Sequence, residues 1–157
     1  MNNPIDWIEV TNLQQIDSPG LIVDFDRVER NIARMVAMVD GNADRLRPHV
    51  KTHKMPDVIQ MQLDAGIKRF KVATLAEAEM VAIAGGTDIL LAHQVVGPKV
   101  DRLYRLVQAH REASFAAIVD DPDIATAIAN QFSSDALPLR LYVDVDCGMQ
   151  RTGIRLG

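Results

Sequence analysis

The feature that most constrains this chain is an alternation. Short apolar or β-branched runs are followed by longer segments whose apolar residues recur at helical spacing, again and again between Leu21 and Asp146. The runs at 21–26, 45–51, 69–74, 88–93, 114–120 and 139–146 read as strands, and those at 27–39, 56–65, 75–84, 98–110 and 122–132 as helices. Pro56, Pro98 and Pro122 fall where a first helical residue is expected, because the fixed φ of proline suits that position and its missing N–H costs nothing there. Asp121 reads as an N-cap, Thr74 with Glu77 as a capping box, and Gly66 and Gly85 as helix ends. On the first helix Val28, Ile32, Met35, Val36 and Val39 share a face, and Arg27, Arg30 and Arg34 turn to solvent.

Strand–helix–strand alternation requires crossovers and a parallel sheet covered by helices, so the class is α/β. Strand starts about 24 residues apart fit a (β/α)8 TIM-type barrel of about 250 residues, with an open doubly wound sheet as the alternative. Six units fall two short of eight. The expectation is therefore that residues 1–157 form a partial barrel, the N-terminal portion of a longer protein, with a leader over 1–19 containing Trp7 on the bottom rim.

Composition excludes several classes. The chain has 157 residues, enough for one sizeable core. Its apolar runs, such as Ile89 to Ala92, are far below the roughly 18 residues of a membrane span. The first residues lack a basic region followed by an apolar run, so a cytoplasmic protein without membrane partners is expected. A single cysteine, Cys147, rules out an internal disulfide and multi-cysteine zinc motifs, and reads as a small packing residue. The formal charge of -4 argues against a nucleic-acid partner. Met35, Met38, Met61 and Met80 read as core filler.

Chemistry concentrates in Arg47-Pro48-His49-Val50-Lys51-Thr52-His53-Lys54, with five basic or imidazole side chains in eight residues. On a helix His49 and His53 could share a metal, but Pro48, Val50 and Thr52 disfavour a helix; on a strand the two lie roughly 13 Å apart, too far for one ion. The strand reading places His49, Lys51 and His53 on one face. If that strand is buried on both sides, desolvation and cationic neighbours lower the pKa of Lys51 and make it a nucleophilic amine. A surface basic loop is the other reading of the segment.

A second constellation runs from Val143 to Gly153. Leu141, Val143 and Val145 point one way, while Arg140, Tyr142, Asp144 and Asp146 point the other, toward a lined site at the strand's carboxyl end, with Arg151 just beyond. Gly148 and Gly153 either admit a ligand to the backbone or are ordinary turn glycines. His93 ends the fourth strand on the same rim, as a structural residue or a ligand contact.

With these motifs the chain resembles the D-threonine aldolase and D-serine dehydratase-like proteins of the alanine racemase N-terminal barrel superfamily, which are fold type III pyridoxal phosphate enzymes. The resemblance runs through Ser18-Pro19-Gly20-Leu21-Ile22-Val23-Asp24, the Arg47 to Lys54 stretch, Ala73-Thr74-Leu75-Ala76-Glu77-Ala78-Glu79, Leu90 to Gly97, and Asp146 to Gly153. It implies that Lys51 forms the aldimine with pyridoxal 5'-phosphate and that Arg151 hydrogen-bonds the phenolic oxygen; His49 and His93 are the further candidates for cofactor contact. It also implies a lyase acting on β-hydroxy-D-amino acids, by aldol cleavage or dehydration, with a divalent metal whose ligands belong to a C-terminal β-domain outside this chain. On that basis 1–157 alone is expected to be inactive and marginal or homo-oligomeric. An amino acid racemase and a non-catalytic pyridoxal phosphate-binding module are the alternatives.

Overall fold

The computed structural model describes residues 10–133 and 138–155. Helix α1 (Phe25–Ala37) and helix α2 (Pro56–Asp64) are followed by strand β1 (Arg69–Val72), helix α3 (Leu75–Ile83), strand β2 (Asp88–Leu91) and helix α4 (Lys99–Ala109). Strand β3 (Ser114–Val119), helix α5 (Pro122–Phe132), strand β4 (Leu139–Val143) and the short strands β5 (Val145–Asp146) and β6 (Ile154–Arg155) complete the order. Strands β1 to β4 form one parallel sheet in sequence order, with Lys71 opposite Leu90, Leu90 opposite Ala116 and Ala116 opposite Arg140. Strands β5 and β6 pair separately. The α/β class and the parallel sheet follow directly from the alternation in the sequence.

The sheet has two unlike faces because strand side chains alternate. Phe70, Val72, Ile89, Leu91, Phe115, Ala117 and Val119 are buried and form one core with Ala78 and Val81 of α3, Leu103 and Val107 of α4 and Ile128 of α5. Each large side chain so buried contributes about 1.5–3 kcal/mol of hydrophobic stabilisation. The other face carries Lys71, Asp88, Arg140 and Tyr142 among the apolar Leu90, Ala116 and Ile118, and is the more polar of the two. Helix α1 buries Ile32 and keeps Arg27, Arg30 and Arg34 exposed, as its periodicity predicts.

Helix starts agree closely with the sequence. Asp24, Thr74 and Asp121 each accept backbone N–H bonds at the head of a helix, and Gly66 and Gly85 take φ of +85° and +96° after α2 and α3. Pro98, expected inside its helix, is instead the residue before it. The capping box is half formed: Thr74 accepts the Glu77 N–H, but the Glu77 carboxylate accepts from Ala73 rather than Thr74.

Two expected strands are absent. Residues 21–24 pair with nothing among the described residues, and Leu21 is 83% exposed. The Asp24 carboxylate draws the chain into α1 at Phe25, because it satisfies the Arg27 N–H. Residues 45–51 make a single parallel bridge, His49 to Lys71, between two 3-10 turns at Ala43–Arg45 and Val50–Thr52. Side chains of Asn42 and His49 start those turns by accepting N–H bonds two residues on, the local competition that such side chains offer to a ladder. The expected strand over 139–146 divides at Asp144 into β4 and β5. Met35, Met61 and Met80 pack against the core, but Met38 is 78% exposed. Cys147 is exposed in a loop, not a packing residue. Residues 10–19 are largely exposed, and Trp7 lies outside the described residues. No helix among the described residues is long and apolar enough to cross a membrane.

Candidate active site

The polar face of the sheet is built in layers, because parallel register sets equivalent residues side by side. Lowest is Asp88, whose Oδ1 accepts from Arg47 at 2.9 Å and from Arg140 at 2.9 Å. Above it Lys71 is bridged to His49, with the Lys71 N–H donating to Pro48 O at 2.9 Å. Highest, at the carboxyl ends of the strands, the Gln94 amide donates to Asp120 at 2.9 Å and Asp144 at 3.2 Å and so holds two carboxylates side by side. This is the rim on which α/β folds place their chemistry.

Lys51 reaches the same rim. It follows the His49–Lys71 bridge by two residues, in the 3-10 turn Val50–Thr52 that packs beside β1, rather than on a strand. Val50 is fully buried and anchors the turn, the Lys51 N–H donates to His49 Nδ1 at 3.3 Å, and the Lys54 N–H closes on Val50 O at 2.8 Å. Lys51 is exposed, so the burial invoked from the strand reading is not its situation, and His49, Lys51 and His53 do not share a strand face. Its amine makes no hydrogen bond or ion pair among the described residues.

Around it the imidazoles are kept neutral. Burial, reinforced for His49 by the charges of Lys51 and Lys71, holds His49 and His53 below the usual 6.5. His53 Nδ1 accepts the Met55 N–H at 3.2 Å, while its buried Nε2 has no partner. Glu77 is 3% exposed; burial opposes its charge, but Lys54 and the Ala73 N–H outweigh burial and hold its carboxyl below the usual range. Burial likewise opposes the charge of Asp88, and Arg47 and Arg140 prevail.

These shifts share one sign. A group whose folded pKa is depressed stabilises the fold above its unfolded value and loses that contribution as pH falls through the folded one. The urea midpoint should therefore be level above about pH 7, decline below about 6.5 as His49 and His53 are forced to charge, and decline again below about 4 as Asp88 and Glu77 take protons. A midpoint that rose between pH 7 and 5 would contradict this assignment.

His93 is exposed at the end of β2, its Nδ1 3.2 Å from Gln94 O. Arg151 is exposed in the loop between β5 and β6 and makes no ion pair among the described residues. No hydrogen bond joins Lys51, His93 and Arg151 to one another. The loop itself is held by Asp146, whose Oδ1 accepts from Gly148 and Gln150 at 2.9 Å each. Gly153, at φ +94°, packs so closely on β5 that a Cβ there would meet the Asp146 N at 2.7 Å, so this glycine serves the turn. A cleft of about 500 Å³ opens between α3 and α4, lined by Thr74, Leu75, Leu91, His93, Lys99 and Arg102 among others. Gln94 also lines it, so the cleft adjoins the rim, although neither Lys51 nor Arg151 is among its lining residues. Sequence reasoning missed the roles of Gln94, Asp120 and Lys71; the alternation of polar residues at strand ends is the signal that could have found them.

A parallel sheet covered by helices, with its strands in sequence order, is part of an α/β barrel-type scaffold. The chain belongs to the family described as alanine racemase, N-terminal domain, whose model matches residues 23–156. It is 36% identical over 142 residues to D-threo-3-hydroxyaspartate dehydratase of Delftia sp. (strain HT23), and 31% identical over 142 residues to D-threonine aldolase of Arthrobacter sp.. Each match covers 90% of this chain and 37% of the relative. The crystal structure of D-threonine aldolase from Filomicrobium marinum superposes with a TM-score of 0.79 at 30% identity, covering 89% of this chain and 37% of that one. The chain thus spans a little over a third of the length of these relatives.

Proposed function

We propose that this chain carries the lysine-bearing part of a pyridoxal phosphate-dependent lyase acting on 3-hydroxy-D-amino acids. The observation that carries the reading is Lys51: an exposed amine without a hydrogen-bond or ion-pair partner among the described residues, on a turn tied at both ends and packed beside β1. The aldehyde and anionic groups of the cofactor suit the donors present, which are a primary amine, neutral imidazoles, an unpaired guanidinium at Arg151 and the orphaned buried Nε2 of His53. When bound, pyridoxal phosphate supplies an aldehyde for covalent attachment and a ring that withdraws electrons from the substrate.

The residues of this chain have distinct parts. Lys51 would attach the cofactor, and Arg151 would donate to the phenolic oxygen of its ring. The neutral imidazole of His49 orients the lysine turn through its Nδ1. Gln94, by pairing with Asp120 and Asp144, ties together the residues that follow β2, β3 and β4 at the rim. His93 is exposed at the edge of that rim and would be the nearest imidazole there for a substrate or cofactor contact. Among the described residues no three His, Cys, Asp or Glu side chains converge as ligands, so these residues do not fit a divalent metal and no step here runs through one.

The test is to incubate the chain with pyridoxal phosphate, reduce with borohydride and map the pyridoxyl group by peptide mass spectrometry. One equivalent on Lys51 is expected. Label scattered over several lysines, or absent from Lys51, would overturn the reading.

A further inference from the structure

Between α3 and the lysine turn lies a buried carboxylate with two partners in different parts of the chain. Glu77 is 3% exposed. Its Oε2 accepts the Ala73 N–H at 2.7 Å, where β1 passes into α3. Its Oε1 pairs with the ammonium of Lys54, three residues after Lys51. Lys54 is the residue whose N–H closes the turn on Val50 O, and it does so at φ +51°, a left-handed conformation uncommon for a side chain of this kind. The turn is therefore held upstream by the His49–Lys71 bridge and downstream by the Lys54–Glu77 pair.

We infer that Glu77, acting through Lys54, is a positioning residue that fixes the turn so that the Lys51 amine, and not its neighbour, is presented on the rim. Two features support this beyond simple helix capping. A carboxylate that only closed the capping box would bond the Thr74 N–H, whereas this one reaches Ala73 and, from α3, the lysine turn. The pair also occupies the Lys54 ammonium, the competing amine closest in sequence. Breaking it should both loosen the turn and release a second nucleophile beside the first. The assignment to cofactor placement rests on the function proposed for Lys51, while the clamp itself does not.

Lys54 is the residue to vary, because its side chain is 57% exposed and its loss should leave the core intact. Two measurements separate the parts of the inference. Amide hydrogen exchange at Lys54 reports the clamp without any cofactor, and the share of pyridoxyl label on Lys51 reports positioning. In Lys54→Met, and in Glu77→Gln, where a neutral amide replaces the charge, exchange should quicken by about tenfold. In Glu77→Gln, part of the label should move from Lys51 to Lys54; in Lys54→Met, labelling of Lys51 should slow by a similar factor. Lys54→Arg, which keeps the ion pair, should restore wild-type exchange and Lys51 labelling, a rescue that a purely structural role for the aliphatic stem would not distinguish from methionine. Unchanged exchange in Lys54→Met overturns the clamp. Faster exchange with unchanged labelling overturns the positioning role. A wild-type chain that fails to label at Lys51, yet exchanges faster in Lys54→Met, overturns the cofactor assignment and leaves the clamp standing.

Discussion

On the function proposed for Lys51, Lys51→Ala should erase the borohydride-trapped adduct and lower turnover of a 3-hydroxy-D-amino acid at least about a thousandfold. Stability should hardly change, by less than about 0.5 kcal/mol, as for other exposed substitutions. Both expectations come from the same geometry. The Lys51 side chain is exposed and unpartnered, and none of the bonds that shape its turn uses it: the Lys51 N–H donates to His49 Nδ1, the Lys54 N–H to Val50 O, and the Lys54 ammonium pairs with Glu77. Alanine keeps all of these. Steady-state turnover, label mapping and thermal unfolding of the same preparation check the prediction together. Full turnover in Lys51→Ala would remove the lysine from the chemistry.

Phe70→Ala should have the opposite profile, costing about 3–5 kcal/mol of stability, a large fraction of the 5–15 kcal/mol typical of a domain. Phe70 is fully buried in β1, opposite Ile89 of β2, and joins the sheet to the helices above it. Its ring lies where a Cβ on Gly86 would come within 3.0 Å, so the glycine makes room for the ring and little can move in when the ring goes. The missing volume stays as a cavity, and its unsatisfied lining adds to the lost transfer energy. Urea denaturation followed by circular dichroism measures the loss; a cost below about 1 kcal/mol would show that the sheet–helix interface does not carry the stability assigned to it.

Much of this fold is legible in single residues. Proline at Pro56 and Pro122, the caps Thr74 and Asp121, and the positive-φ glycines Gly66 and Gly85 act within a turn of their own position, so a linear reading recovers them. The four sheet strands were legible for a related reason, since alternate apolar residues such as Phe70 and Val72 are buried wherever a helix covers them. What was not legible involved partners far away. Residues 21–26 and 45–51 have strand-like composition, but a strand exists only where another strand bonds it, and here Asp24, Asn42 and His49 offered the backbone nearer acceptors.

The candidate site divides in the same way. The sequence by itself offers the candidate side chains, Lys51 through its setting among histidines after a proline and Arg151 through the family resemblance. It did not determine where they would stand, because the strand expected over 45–51 is replaced by a 3-10 turn and Arg151 lies in the loop between β5 and β6. Only the tertiary structure decided that Lys51 is raised on an exposed turn instead of buried in a strand. The deciding contacts, the Lys71 N–H on Pro48, the burial of Val50 and the Glu77 carboxylate on Lys54, join segments more than twenty residues apart or depend on a packed core. Hydrogen-bond partners brought together by folding are not written in the local pattern of either segment.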